Sequence, residues 1–393
     1  MPTEATFFLA GLLIIAAAMG WAFERLSRER DNQPPARISA DYIRGLNLVL
    51  NRKTDEALEL FVQIAKVDDD TLETHFALGH LFRRRGEVDR AIRVHQNLLA
   101  RPSLSEAQRH QALFALAEDY LGAGLFDRAE NLFAELTSSE TVAQAALERL
   151  VDIYEREREW NKAIEAQRQL EARTGEPSSR IAHYHCELAE QARLEGDDGR
   201  ALELLKSTAR TESGALRGAL IRASIAKGKG RFDEAIRLYE QVIDTDRRFI
   251  AEVLPSLMEC YREQGKLGRF DEYVSRIVAR DAALEKDLAY AAVIGELVDS
   301  PALARCVESF VLSNDILVNL VGADDLRSAT AEKKSRAIQR IVKGLRRIAM
   351  SGTRYRCTNC GYGTQRLIWH CPSCKLWDSV RPTQTFHFDA LIS

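Results

Sequence analysis

The chain has 393 residues, 46% hydrophobic and 29% charged, a composition that excludes a disordered protein and suffices for two or three globular domains. Its 55 Lys and Arg against 58 Asp and Glu give a net charge of -3, which excludes overall electrostatic attraction to nucleic acid, so any basic patch must be local. The seven cysteines are too few for a small secreted disulfide scaffold and favour a reducing compartment.

The first predicted element is a membrane-spanning helix. Residues 5–23 contain no charged side chain, and a helix of that length reaches about 28 Å, close to the hydrocarbon core of a bilayer at about 30 Å. Glu4 precedes this segment, and Arg25, Arg28 and Arg30 follow it. The missing basic start disfavours a cleaved signal peptide, and the positive-inside rule places the rest of the chain in the cytoplasm.

The anchor is predicted to occupy residues 1–24. Residues 25–37 then form a short linker, in which Pro34 and Pro35 interrupt any continuing helix. The protein is therefore expected to cross the membrane once, with its C-terminal bulk facing the cytoplasm.

A repeated pattern follows the linker. An alanine recurs at steps of 34, 38, 34, 38 and 34 residues, and Tyr273 takes the corresponding place in a seventh copy after another 38. A small or apolar residue stands twelve positions before each alanine. In most copies, a bulky residue follows this small residue by three positions. The alanines are Ala57, Ala91, Ala129, Ala163, Ala201 and Ala235. The residues twelve positions earlier are Gly45, Gly79, Ala117, Val151, Ala189 and Ala223.

This pattern resembles the tetratricopeptide repeat, whose units are pairs of antiparallel helices. Small side chains permit the paired helices to approach closely, and bulky ones at neighbouring turns fill the remaining grooves. A repeat solenoid is predicted over residues 38–280, with additional repeat-like helices over residues 281–350. Solenoids of this kind hold a peptide, a helix or a protein surface, so a binding role is expected.

The repeat region contains no catalytic constellation, and the protein is predicted not to be an enzyme. His183 and His185 lie beside Cys186, but residues i and i+2 of a helix face apart, so a metal site is not expected there. These three residues are predicted to be ordinary core or surface residues.

The last helix before the C-terminal domain is predicted to be amphipathic. One face carries an apolar stripe and the other carries basic residues. Two interpretations of the basic face remain open: a solvated helix surface, or a contact with anionic lipid or an acidic partner. The apolar residues are Ile338, Ile341, Val342, Leu345 and Ile348, and the basic ones are Arg336, Arg340, Lys343, Arg346 and Arg347.

A metal site is predicted in the C-terminal domain, residues 351–393. Cys357 and Cys360 form one CxxC pair, and Cys371 and Cys374 form a second after ten intervening residues. Two such turns can bring four thiolates into a tetrahedron around one metal ion. A cage closed by four sulfurs offers no open position for water or substrate, which disfavours catalytic zinc.

Zinc is favoured over iron in this four-cysteine site, although the same ligands suit an iron that carries one electron. A disulfide pair is disfavoured in the cytoplasm. So small a domain depends on its metal for much of its folding free energy. Its aromatic side chains are expected to pack over the site or against the end of the solenoid, and nucleic-acid binding is a competing interpretation that a membrane anchor disfavours. These aromatic residues are Tyr355, Tyr362, Trp369 and Trp377.

The whole chain resembles the lipopolysaccharide assembly protein B family, and the sequence "CTNCGYGTQRLIWHCPSC" carries the most specific part of the resemblance. The resemblance implies an all-α fold: a tetratricopeptide-repeat superhelical solenoid with one N-terminal transmembrane helix and a small C-terminal rubredoxin-like zinc-ribbon domain. It assigns the four cysteines of the two CxxC pairs as metal ligands and places the protein in a bacterial inner membrane.

The same resemblance implies an adaptor function. Members of the family promote degradation of the deacetylase LpxC by the membrane protease FtsH, and so regulate lipopolysaccharide biosynthesis. FtsH, LpxC and other lipopolysaccharide assembly or inner-membrane regulatory proteins are the implied partners, with self-association left open. Two alternatives remain: a rubredoxin-like electron-transfer protein, and a general scaffold for assembly enzymes without proteolytic control.

Overall fold

The computed structural model describes residues 40–51, 53–67, 72–210, 212–314, 317, 331–384 and 386. The predicted membrane anchor and linker lie outside these residues. Among the described helices, none combines the length and the apolar character needed to cross a membrane.

The described chain is a series of helices followed by a small sheet, and it divides into two compact units at residues 146 and 147. The first unit contains α1 Ala40–Leu50, α2 Thr54–Val67, α3 Leu72–Arg84, α4 Val88–Leu99, α5 Glu106–Gly122 and α6 Phe126–Glu135. The next helix, α7 Ala143–Glu157, includes the boundary. The second unit continues with α8 Trp160–Thr174, α9 Arg180–Leu194, α10 Asp198–Leu205, α11 Glu212–Gly228, α12 Phe232–Thr245, α13 Ile250–Glu263, α14 Leu267–Arg280, α15 Leu284–Gly295, α16 Pro301–Leu312 and α17 Ala331–Ser351. Short 3-10 turns occupy Leu136–Ser138, Lys206–Arg210 and Arg247–Phe249.

The repeat alanines lie where the second helix of each pair meets the first. All six are 0% exposed, on α2, α4, α6, α8, α10 and α12. The residues twelve positions earlier are also buried, and they lie on α1, α3, α5, α7, α9 and α11. Most of the described chain is therefore a tetratricopeptide-repeat solenoid of paired helices.

Glycines in the first helix of two pairs show how close the paired helices come. A Cβ built on Gly45 would lie 2.6 Å from the Phe61 ring, and one on Gly79 would lie 2.4 Å from His95 Nε2. Phe61 and His95 each follow the repeat alanine by four positions, one helical turn. The same position is buried in every one of these six pairs, which the sequence pattern did not indicate. Its occupants are Phe61, His95, Phe133, Gln167, Leu205 and Tyr239.

The turn between paired helices corrects the predicted register of the seventh copy. In the first six copies, the N–H four residues before the alanine donates to the C=O nine residues before it, as in Glu87 to Phe82. In the seventh copy, Lys266 donates to Tyr261 at 2.9 Å, which places Phe270 at the alanine position. The prediction that Tyr273 occupies this place was wrong by three residues, nearly one helical turn. Both rings are buried, so burial alone does not distinguish them.

A buried polar group links two pairs in the first unit. Asp119 is 0% exposed, and its two carboxylate oxygens each lie 2.5 Å from a basic nitrogen, Arg83 Nη1 and His95 Nδ1. The arrangement resembles a catalytic pair, but the other ring nitrogen of His95 faces Gly79 at the helix contact, where a substrate has no access. Its role is therefore structural.

The amphipathic prediction for α17 is confirmed. Ile338, Val342 and Leu345 are buried in the main hydrophobic core of the second unit, and Ile341 and Ile348 pack against it half-buried. The helix contacts α15 and α16.

The C-terminal domain is a three-stranded antiparallel sheet in which Tyr355–Cys357 is the central strand. The strands are β1 Tyr355–Cys357, β2 Gly363–Thr364 and β3 Val380–Pro382. Tyr355 pairs with Thr364 on one side and with Pro382 on the other. The sheet and its two cysteine turns are called the ribbon below.

Two glycine-to-alanine changes test the close helix contact. Gly79→Ala is expected to lower the local unfolding free energy of α3 and α4 by about 1–3 kcal/mol, because the new methyl group overlaps His95. The measurement is hydrogen exchange of the amides in both helices.

The matched control is Gly344→Ala, in the exposed middle of α17, where an added Cβ meets nothing within 4 Å. It is expected to raise the stability of that helix by about 0.5–1 kcal/mol. Equal effects of the two substitutions would contradict the packing explanation.

Candidate metal centre

Two similar turns hold the four cysteines. In the first, Gly361 N–H donates to Cys357 O at 3.0 Å, and in the second, Lys375 N–H donates to Cys371 O at 2.9 Å. In each turn, the residue after the second cysteine therefore closes back onto the first. Gly361 and Lys375 both have positive φ, 77° and 60°, as these turns require.

The geometry of the four sulfurs fits a metal ion. All four Sγ atoms lie within 4.8 Å of one another, with Cys357 to Cys374 at 3.6 Å and Cys360 to Cys371 at 3.7 Å. A tetrahedron with zinc–sulfur bonds of about 2.3 Å has edges of about 3.8 Å. The four predicted cysteines are thus brought together in a metal-binding site, and a four-thiolate donor set suits zinc or iron.

The surroundings of the thiols differ. Hydrogen bonding with the Ser379 hydroxyl, 3.3 Å away, is the largest cause that lowers the pKa of Cys357 to about 6. The backbone N–H of Leu376 lowers the pKa of Cys374, whereas burial raises that of Cys371 to about 11. Two ligands are therefore predisposed to the thiolate form that binds a metal, and the proton of Cys371 must be displaced.

A buried carboxylate of the solenoid binds the ribbon. Glu155 Oε1, on α7, accepts hydrogen bonds from Trp377 Nε1 at 2.7 Å and from the Tyr184 hydroxyl at 2.6 Å. Arg180 Nη1 lies 3.9 Å from the same oxygen. Both donors are thus satisfied by one carboxylate, whose side chain is 6% exposed.

The Trp377 indole is held between two imidazoles. The ring centroid of His183 lies 5.2 Å away at 21°, and that of His370 lies 4.7 Å away at 10°. The edge of Trp160 completes the contact at 6.1 Å. His183 is 0% exposed, so it serves the interface between ribbon and solenoid.

Trp369 forms a second anchor. Its ring stacks on Phe249 with centroids 5.7 Å apart at 5°, and the guanidinium of Arg217 lies 5.5 Å from its centre. Arg217 is buried and pairs with Glu187 at 2.7 Å. Stacking and cation–π attraction are favoured at a desolvated site such as this.

Residues in and beside the outer ends of the strands add polar contacts further along the solenoid. Arg354 donates to Glu252 at 2.9 Å, and the hydroxyl of Tyr355 donates to the same carboxylate oxygen. Gln384 Nε2 donates to the backbone of Arg248 at 2.6 Å.

Tyr355 packs with Cys357 and Cys371 in the small core of the ribbon, as expected from the sequence. The expectation that the ribbon aromatics pack at the end of the solenoid was wrong for Trp369 and Trp377.

The contacts of the ribbon run along the first helices of successive pairs, from α7 to α13. His183 and Arg217 each lie 18 positions before the alanine of their repeat. Glu252 lies 18 positions before Phe270, which occupies the alanine position of the seventh repeat. Of the aromatic residues named from sequence, only Tyr362 is exposed.

Sequence reasoning missed the solenoid side of this interface. His183 was predicted to be an ordinary core or surface residue, and Glu155, Arg217 and Glu252 were not singled out. The available signal was a polar or charged residue at one fixed position of the first helix in three consecutive repeats.

Comparisons with known proteins agree with this architecture. Residues 355–382 match the family described as a rubredoxin metal binding domain. Residues 74–106, 114–177 and 222–249 match tetratricopeptide repeat families. The family matches therefore cover the ribbon and three stretches of the solenoid.

Curated relatives match over nearly the full length. Lipopolysaccharide assembly protein B of Escherichia coli strain K12 is 36% identical over 94% of this chain and 96% of its own length. The protein of the same name from Haemophilus influenzae is 32% identical, with the same coverage. Among solved structures, that of the MamA protein matches with 18% identity and a TM-score of 0.32, covering 41% of this chain and 84% of that one. The similarity to MamA is too weak to support a functional argument.

Metal removal is expected to unfold the ribbon, because metal binding supplies about 10–16 kcal/mol to small zinc domains and the sheet has little core of its own. A strong chelator added to the full chain is expected to abolish hydrogen-exchange protection over residues 355–382 and to expose Trp369 and Trp377. Protection that survives complete stripping would contradict this prediction.

The same preparation identifies the metal. Elemental analysis is expected to give one ion per chain, lost in Cys371→Ser and retained in Cys306→Ser, a buried cysteine outside the site. Zinc gives a colourless, redox-silent protein, whereas iron gives visible absorption and reversible reduction.

Acid is expected to weaken ribbon docking through His183. Burial, followed by the charge of Arg217, lowers the pKa of His183 to about 4 from 6.5. The folded state therefore holds a neutral ring, and this stability is fully present above pH 6.5 and is lost as the pH falls toward 4. The loss is expected to reach up to about 3 kcal/mol, measured by urea unfolding with tryptophan fluorescence.

His183→Phe keeps a ring against Trp377 and removes the titration. Its unfolding free energy is expected to depend less steeply on pH between 6.5 and 4 than that of the unchanged protein. Identical slopes for the two proteins would show that His183 does not cause the effect.

Proposed function

This chain belongs to the lipopolysaccharide assembly protein B family, and from that premise we propose that it is an inner-membrane adaptor that regulates lipopolysaccharide biosynthesis. Similarity over 94% of the chain to proteins of that name is the observation that carries the proposal. Residues 5–23 anchor the protein, and the solenoid and ribbon face the cytoplasm.

The adaptor presents LpxC to the protease FtsH and catalyses no reaction of its own. LpxC is held through the solenoid, since stacked helix pairs offer an extended surface for a protein or peptide. Anchoring the adaptor in the same membrane as FtsH raises the effective concentration of LpxC at the protease without requiring a tight pairwise contact.

Docking of the ribbon supports this role. A domain held by Trp377, Trp369 and Tyr355 against several first helices stiffens that part of the solenoid. The metal therefore acts through structure: it maintains the ribbon, and the ribbon orders the surface that partners meet.

Depletion of the protein is expected to lengthen the lifetime of LpxC several-fold, because the deacetylase is no longer delivered to FtsH. The measurement is the decay of LpxC after protein synthesis is stopped. Re-expression of the unchanged chain should restore rapid decay.

The double variant Cys371→Ser, Cys374→Ser should fail to restore it, whereas Cys306→Ser should succeed. An LpxC lifetime that does not respond to depletion would overturn proteolytic control and favour a general assembly scaffold.

A further inference from the structure

Two cations occupy backbone positions that normally require glycine. Arg158, between α7 and α8, has a φ of 58°, and Lys375, after the second cysteine pair, has a φ of 60°. Left-handed backbone is strained for residues that carry a Cβ, and a long side chain held there calls for a functional explanation.

Glycine occupies most of the positions in the chain that correspond to Arg158 and Lys375. Five residues before the alanine position, where Arg158 lies in its repeat, five other copies have a glycine with positive φ. Lys375 corresponds to Gly361 in the first cysteine turn. The five glycines are Gly86, Gly124, Gly196, Gly230 and Gly265. A cation thus stands in place of glycine in the turn between α7 and α8 and in the second cysteine turn.

Both cations line the same pocket. The pocket has a volume of about 500 Å³ and lies where the ribbon meets α7, α8 and α9. That volume falls within the range of roughly 300–1,000 Å³ typical of ligand sites. Arg156 and His370 also line it, and it is called the junction pocket below.

The carboxylates of the junction pocket already have partners. Asp152 pairs with Arg149 at 3.4 Å, and Glu187 pairs with Arg217 at 2.7 Å. Glu155 accepts the two hydrogen bonds from Trp377 and Tyr184 described above. Each of these three acids therefore already has a partner within the protein.

The cations of the junction pocket differ from its acids in their ion pairing. Within the part of the chain that the structure describes, Arg156, Arg158 and Lys375 form no ion pair, and all three are exposed. The solenoid and the ribbon thus each contribute exposed cations without an ion-pair partner to the lining of the junction pocket. An anionic group placed there would be attracted to all three.

The rest of the lining indicates the kind of anion. The buried Trp160 and the half-buried Trp377 both border the pocket, so a small indole surface adjoins the cations. We propose that the junction pocket binds an acidic peptide segment of a partner protein, with carboxylates toward Arg156, Arg158 and Lys375 and an apolar side chain against the indoles. A free phosphate ion would leave the aromatic surface unused.

This site deepens the adaptor role, and the assignment of the peptide to a partner protein rests on that role. A peptide bound there would contact ribbon and solenoid together, so its affinity depends on the ribbon being docked. Peptide binding tests only the pocket, whereas the decay of LpxC tests the adaptor function. Either proposal can therefore fail without the other.

The test is binding of a fluorescein-labelled hexapeptide of alternating Glu and Leu to the full chain in detergent, followed by fluorescence anisotropy. Arg158→Gly and Lys375→Gly are each expected to weaken binding at least fivefold. Arg158→Gly should leave the melting temperature unchanged or raised, because glycine suits that turn. Arg168→Gln, an exposed cation on α8 away from the pocket, should bind as the unchanged protein does.

A peptide with Gln in place of Glu should bind at least fivefold more weakly, and inorganic phosphate at millimolar concentration should not displace the acidic peptide. The proposal is overturned if the acidic peptide does not bind, if the three variants bind it equally, or if phosphate displaces it, which would indicate an adventitious ion site only. A lower melting temperature for Arg158→Gly would instead make the arginine a structural residue and also overturn the proposal.

Discussion

Paired helices approach closely where a glycine on the first helix faces a larger side chain on the second. Gly79 against His95 and Gly45 against Phe61 are two such contacts, with no space for a Cβ. This repeated contact fixes the spacing of the first helices, and the spacing in turn aligns side chains of successive repeats. His183, Arg217 and Glu252 are aligned in this way, and they form the row on which the ribbon docks.

The ribbon and the solenoid each carry polar groups whose interaction partners lie on the other. The Trp377 indole N–H finds its acceptor in Glu155, and the Arg217 guanidinium finds an aromatic face in Trp369. His183 is buried as a neutral ring in the same interface. Separation of the two parts would return these groups to water and expose large aromatic surfaces, so the docked arrangement is favoured whenever the cysteine turns are intact.

Local patterns predicted the parts of this structure that depend on local physics. The alanine period identified the helix pairs, and cysteine spacing identified the residues that form the metal site. The seventh copy was misplaced because its "RFDE" resembles the sixth, whereas the turn at Gly265 sets the true register at Phe270. The docking residues could not be derived from spacing alone. The sequence around His183 carries no information about Trp377, which is distant in the chain and covers His183 only in the folded protein. The membrane anchor remains a prediction.

The row of docking residues also limits how this array can change its length. Because the ribbon contacts both Glu155 and Glu252, the number of helix pairs between those two residues must match the length of the ribbon. Duplicating or deleting a pair within that stretch would move one anchor about a whole repeat away from its tryptophan or strand. Helix pairs can therefore be gained or lost only outside the stretch from α7 to α13. The docked ribbon thus fixes the number of repeats that it covers.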